Sequence, residues 1–387
     1  MAVVFHPFAA ITVASVFCTY IIHDACGPSR RYIIYLTPVP VAMAFMAQRW
    51  GAPTPLPMLM MLSGLGVLGA LGFVVAAYCA SDPAQRSQRL TQLAGAMVLP
   101  VAASMLAFGL WSTYTVNPVY DTRVFAFEAI LGVKFSLLGV WTFHHLAPLS
   151  GISAACYVAL PIGMSLVVAA QRDPRRQLDV LMANVVAGAC GFALYFVCPV
   201  VGPLNAFGSP YPNALPPISP DSPLITAAFG APRNGMPSLH TIWALLIWFN
   251  AQTLPVAWRR ALRVFAVMNL WAAMGLDDTH WLMDIVVSVP IAVAIQAAFV
   301  IGVRRTWIDV ATCATLTAMW LIGFRAGVPL LSLPATVAWM AVAVTVCWPL
   351  IRLARGRQIQ VLRTDVASHS PSGAAPWATR LARTHSE

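Results

Sequence analysis

A chain of 387 residues that is 59% hydrophobic and 9% charged is excluded from the soluble globular class, in which about a quarter of residues carry charge. Its formal net charge of +10 does not imply a nucleic-acid partner. The basic residues are spread over loops between apolar runs rather than gathered on one face, the distribution expected of a membrane protein.

Apolar runs long enough to cross a bilayer, which takes about 20 residues as helix, recur from end to end. Spans are predicted over 7–23, 32–47, 56–80, 90–113, 125–145, 149–170, 178–198, 238–255, 262–276, 281–303, 307–325 and 333–352. The expected fold is all-α, a polytopic transmembrane bundle of about ten to twelve helices. The N-terminal run MAVVFHPFAAITVASVFC lacks a basic start and a small-residue cleavage site, so it reads as retained rather than as a signal peptide. Residues 1–124 form an accessory set of spans, 125–303 a core and 304–355 a C-terminal set. From Gly356 the composition turns to Arg, Thr, Ser, Ala and Gly, which predicts a disordered basic cytoplasmic tail over 356–387.

Cations alternate by side in the second half. Arg172, Arg175 and Arg176, then Arg259, Arg260 and Arg263, then Arg304 and Arg305, then Arg352, Arg355 and Arg357 flank alternate loops. Those loops are assigned to the cytoplasm by the positive-inside rule, so the others face outward. The eight cysteines stand singly in apolar runs without close pairing, as small core hydrophobes do.

The segment 199–237 is too rich in proline for a helix and is expected to form a rigid outer loop. It ends in Asn234-Gly-Met-Pro-Ser-Leu-His240. Asn234-Gly235 favours a turn, Pro237 suits a first helical turn, and Ser238 adds a hydroxyl. Amides at such a helix start can hold a phosphate, with Arg233 supplying a cationic fork. The second motif is His280-Trp-Leu-Met-Asp284. On a helix His280 and Asp284 would share one face, about 6 Å apart along the axis. The carboxylate can then hold one imidazole nitrogen and leave the other to attack, and His240 can protonate a leaving alkoxide. Both motifs open predicted helices from the same side. Asp277 and Asp278 are expected as caps, His144 and His145 as an interfacial pair, Lys134 as a charge beside Glu128 at membrane depth, and Trp243, Trp248, Trp271 and Trp281 as packing or interface residues.

The pairing of PSLH with HWLMD resembles the type 2 phosphatidic acid phosphatase superfamily, in particular the branch of inositol phosphorylceramide synthase and sphingomyelin synthase. The segment Gly202-Pro-Leu-Asn-Ala-Phe-Gly208 is similar to one in bacterial members of that branch. The resemblance covers 125–303 and implies a six-helix phosphatase-type catalytic core. It implies His280 as nucleophile through a phosphohistidine, Asp284 as its orienting partner and His240 as general acid. Arg233, Ser238 and Asn234 fall beside them as candidates for binding phosphate or substrate. It implies no metal and no cofactor, a lipid phosphate or phospholipid substrate, and a bacterial inner membrane with the site facing outward. The Lys-x6-Arg-Pro motif of the phosphatases is absent, and Leu239, Ala273 and Met274 stand where they have Gly and a Ser-Arg pair. Those departures favour transfer of a phosphorylated head group over hydrolysis. The sequence leaves open a multi-span transporter, a metal-dependent hydrolase using His240, His280 and Asp284 as ligands, and a non-catalytic membrane protein.

Overall fold

The computed structural model describes residues 118–369 apart from 172–173, 209–210, 212–221, 228–230, 232, 277–279 and 302–306. The first four predicted spans, residues 370–387, Asp277 and Asp278 lie outside the described residues. The described chain is helical, and the one extended pairing in it is an isolated bridge between Val119 and Ile225.

The helices are α1 (Asp121–Ile130), α2 (Phe135–His145), α3 (Ala147–Val158), α4 (Leu160–Ala169), α5 (Pro174–Tyr195), the single turn α6 (Pro203–Phe207), α7 (Leu239–Asn250), α8 (Val256–Gly275), α9 (Leu282–Gln296), α10 (Trp307–Ala326), the short α11 (Val328–Leu331) and α12 (Ala335–His369). Three of them are long and apolar enough to cross a membrane: α9 extended to Val300, α10, and α12 as far as Arg355.

Two spans expected to be continuous are interrupted. The run 125–145 bends by 90° between α1 and α2, where Gly132 takes φ +75°, a conformation that costs glycine no Cβ clash. The pair can count as a fourth, broken span. The run 149–170 divides into α3 and α4, and each begins with a proline in its first two positions, where the missing N–H costs nothing. At the other end, α12 continues to His369, past Gly356 and into the segment expected to be disordered.

Helix α9 is the axis of the bundle. Of its membrane-length stretch within Leu282–Val300, 78% is buried, against 28% for those of α10 and α12. It packs on α7, α10 and α12, and also touches α1 and α5, while α8 joins α7 to α2 and α3. An apolar cluster of Phe125, Phe127, Met236, Trp281, Val286 and Phe324 fills the bundle where α1 meets the start of α9. The opposite end is sealed by polar groups. Asn250 and Gln296 exchange side-chain amide bonds of 2.8 and 3.1 Å, and Arg176 donates to Val300 O at 2.9 Å. This satisfies buried polar atoms where α5, α7 and α9 converge.

Candidate active site

The start of α7 is built by a hydroxyl cap. Ser238 Oγ accepts from Thr241 N at 3.2 Å and from Thr241 Oγ1 at 3.0 Å, a bond that replaces a missing intrahelical partner. Ser238 N donates to Asp284 O at 3.3 Å. Ser288 Oγ donates to Ser238 O at 3.1 Å and to Asp284 O at 2.6 Å. The amides of Ser238 and Thr241 are therefore engaged rather than open to an anion as expected. The same bonds lock the first turn of α7 to the first turns of α9.

At α9 the local structure differs from the expected one. His280 precedes the helix, whose N-cap is Trp281, so the two motif residues do not share a helical face. The Asp284 carboxylate instead folds back over the first turn. Its Oδ2 accepts from Trp281 N at 2.8 Å and lies 3.4 Å from His280 Nδ1. This is the return half of a capping box, in which a third-position acid satisfies the N-cap amide. His280 Nδ1 also lies 3.1 Å from Gly235 O. Both neighbours of Nδ1 are acceptors, so the bonding assigns the hydrogen to Nδ1 and leaves the lone pair on Nε2. His280 is 5% exposed and Asp284 fully buried.

His240 sits in the first turn of α7, and its ring centroid is 6.3 Å from that of His280. Its plane is fixed by Tyr157 of α3, stacked at 3.8 Å with 8° between the planes. The two histidines and the carboxylate therefore meet in one place.

Arg233 is fully buried. It donates to Ala231 O, and to Ala227 O at 3.0 Å, so the expected cationic fork holds carbonyls of its own loop. Asn234 is partly buried, and the next residue, Gly235, bonds Val200 O through its N–H at 2.8 Å. A Cβ at Gly235 would stand 2.7 Å from Val200 Cγ1, so only glycine lets the two strands of the loop approach this closely.

Two carboxylates of α1 hold the site from behind. Asp121 accepts from Trp281 Nε1 at 2.9 Å and from the amides of Val201 and Gly202 at 3.0 Å each. Gly202, at φ +85°, can turn its N–H toward the acid. Glu128 accepts from Ser136 Oγ at 2.8 and 2.7 Å and from Leu282 N at 2.7 Å. It is thus committed to the first turn of α9 rather than paired with Lys134, which is exposed at the bend with its Nζ 5.2 Å from the Phe125 ring centroid. Trp281 packs with Phe125 and Phe207 at 5.5 and 5.6 Å, bringing α1 and the Gly202–Gly208 segment together. His144 and His145 are exposed, and the His145 ring stacks on Trp141 at 4.3 Å.

Sequence reasoning missed Asp121 and Tyr157, and it named no partner for Glu128. An acid at membrane depth is costly enough to signal a role, and Glu128, inside the predicted span, carries that signal, whereas Asp121 lies just before it. Tyr157 carries none. Among the described residues no three His, Cys, Asp or Glu side chains gather as a metal-holding group.

Residues 122–298 match the PAP2 superfamily, a stretch that runs from α1 into the end of the α9 segment and contains both histidine motifs. No curated protein and no solved structure matches the chain. The apolar helices and the match together describe a membrane protein carrying a domain similar to phosphatase-type enzymes.

Proposed function

We propose that this protein transfers a phosphoryl or phosphorylated head group from a lipid phosphate or phospholipid to an acceptor hydroxyl, through a phosphohistidine on His280. The observation that carries the reading is the seating of His280. With Nδ1 turned to Gly235 O and Asp284 Oδ2, Nε2 is the nucleophile, and the buried carboxylate stabilises the ring once phosphorus is bonded to it.

In the first step the Nε2 lone pair forms an N–P bond while the bond from phosphorus to the lipid oxygen breaks. The proton for that oxygen comes from His240, whose ring centroid lies 6.3 Å from that of His280. In the second step an alcohol returns its proton to His240 as its oxygen attacks phosphorus and the N–P bond breaks. Water in place of the alcohol makes the same cycle a hydrolysis. Arg233 serves by fixing the loop that carries Asn234 and Gly235, and Ser238 by fixing the start of α7. The missing Arg-Pro and Ser-Arg pairs of the phosphatases favour transfer, in the manner of an inositolphosphotransferase. No metal or cofactor takes part in this cycle. The proposed setting is a bacterial inner membrane with the site on the outer face.

The test uses purified protein in detergent and chelator, given phosphatidate or a phospholipid donor with diacylglycerol or inositol as acceptor, and products identified by mass spectrometry. An added acceptor that gains the donor's phosphorylated group in wild type and not in His280→Ala supports transfer. Free phosphate alone makes the protein a hydrolase. Equal turnover by wild type and variant rejects the assignment.

A further inference from the structure

A second feature lies on the far side of α9. Helices α5, α9 and α10 enclose an open groove of about 430 Å³, walled by Leu194, Ile291, Ile295, Ala314, Ala318 and Ile322 among others. Its one hydroxyl, Thr317 Oγ1, is turned back on Cys313 O at 3.0 Å, so the wall presents carbon. Along α10 the lining runs from Val310 to Ile322. At about 1.5 Å per residue this is about 18 Å, close to the depth of one leaflet in a hydrocarbon core about 30 Å thick.

The end of the groove nearest the histidines is cationic. Arg325 continues the line of Ala314, Ala318 and Ile322 one turn further and is exposed. Its Nη1 donates to O of Val197 at 3.1 Å, and Val197 itself lines the groove. Behind it, Arg123 Nη1 donates to Phe324 O at 2.9 Å and to Arg325 O. Among the described residues neither arginine forms an ion pair. The C-terminal dipole of α10 favours a cation at this position, but it does not explain a leaflet-deep apolar channel directly below two guanidinium groups.

The geometry points to a binding site for an anionic phospholipid, with one acyl chain in the groove and its phosphate on Arg325, separate from the histidine site. A guanidinium meets a phosphate through paired N–H bonds that a choline-bearing head group partly neutralises. The site does not depend on the reaction proposed above.

The experiment places the protein in phosphatidylcholine vesicles with a trace of phosphatidylglycerol bearing a photoactivatable acyl chain, or the matching phosphatidylcholine probe. Adducts are mapped by peptide mass spectrometry. The expected result is several-fold stronger labelling of the 282–300 and 307–326 peptides by the anionic probe. Arg325→Gln removes that preference, Ala318→Trp lowers labelling by both probes, and His280→Ala changes neither. Equal labelling by the two probes, or a preference that survives Arg325→Gln, overturns the proposal. So does an oxidative disulfide from Cys190, which lines the groove, to Cys18, Cys26 or Cys79, because the chain's own N-terminal segment would then fill it.

Discussion

The indole N–H of Trp281 donates to Asp121 Oδ1 at 2.9 Å across 160 positions of sequence, and through this bond the first described helix holds the residue next to His280. Trp281→Phe keeps a ring against Phe125 and Phe207 but deletes the donor and leaves the fully buried Asp121 Oδ1 with the Gly202 amide alone. Such a loss costs about 1–3 kcal/mol. Thermal unfolding in detergent should show the variant less stable, and an unchanged midpoint would remove Asp121 from the support of the site.

Asp284 acts on the imidazole and on the helix start at once, since one oxygen serves both Trp281 N and His280 Nδ1. Asp284→Asn can keep the bond to the amide, but it removes the charge that, in the proposed cycle, stabilises the phosphorylated ring. Turnover should fall by about 10²–10⁴ with little change in KM. A rise in KM alone would make Asp284 a binding group.

His240 is assigned the proton for the departing oxygen, a role worth about 10²–10⁴ in rate. His240→Ala should therefore lose most activity on alkyl phosphate esters and much less on an aryl phosphate ester, whose oxygen leaves without protonation. Equal losses on the two esters would assign His240 another role.

Tyr157 holds the plane of His240 by a stack of 3.8 Å. Tyr157→Phe preserves the face and should retain most activity, whereas Tyr157→Leu should lower kcat more than it raises KM. If Phe and Leu variants behave alike, the hydroxyl rather than the ring face is what matters.

The close approach of Gly235 to Val200 sets the carbonyl that receives His280 Nδ1. Gly235→Ala places a methyl 2.7 Å from Val200 Cγ1, so the loop must shift. Activity should drop while the helical circular dichroism stays near that of wild type, and full activity would mean that Gly235 O is dispensable.

The helices were legible because apolar runs of span length leave few alternatives, and the meeting of His240, His280 and Asp284 was legible because both motifs stand where neighbouring helices begin. The breaks were less so. Gly132 and Pro161 lie inside runs long and apolar enough to read as single spans, and whether such a residue bends a helix is settled by what packs on it. The fold-back of Asp284 was hidden because a four-residue spacing reads as one helical face, whereas the helix begins after His280. The partners of Asp121 and Glu128 come from positions far along the chain, on α9 and the Val201–Gly202 turn, and no local pattern encodes a contact of that length. Lys134 was expected beside Glu128 at membrane depth, but the bend carries it to the surface and brings Ser136 to the carboxylate.

The most direct measurement is to mix the purified protein with phosphatidate carrying a radioactive phosphate, quench within a single turnover, and map the label. The expected result is a label on His280 that is stable in base and lost in acid, as a nitrogen-bound phosphate is, and that is absent from His280→Ala. Turnover without any protein-bound label, or a label that persists in His280→Ala, would contradict the phosphohistidine account.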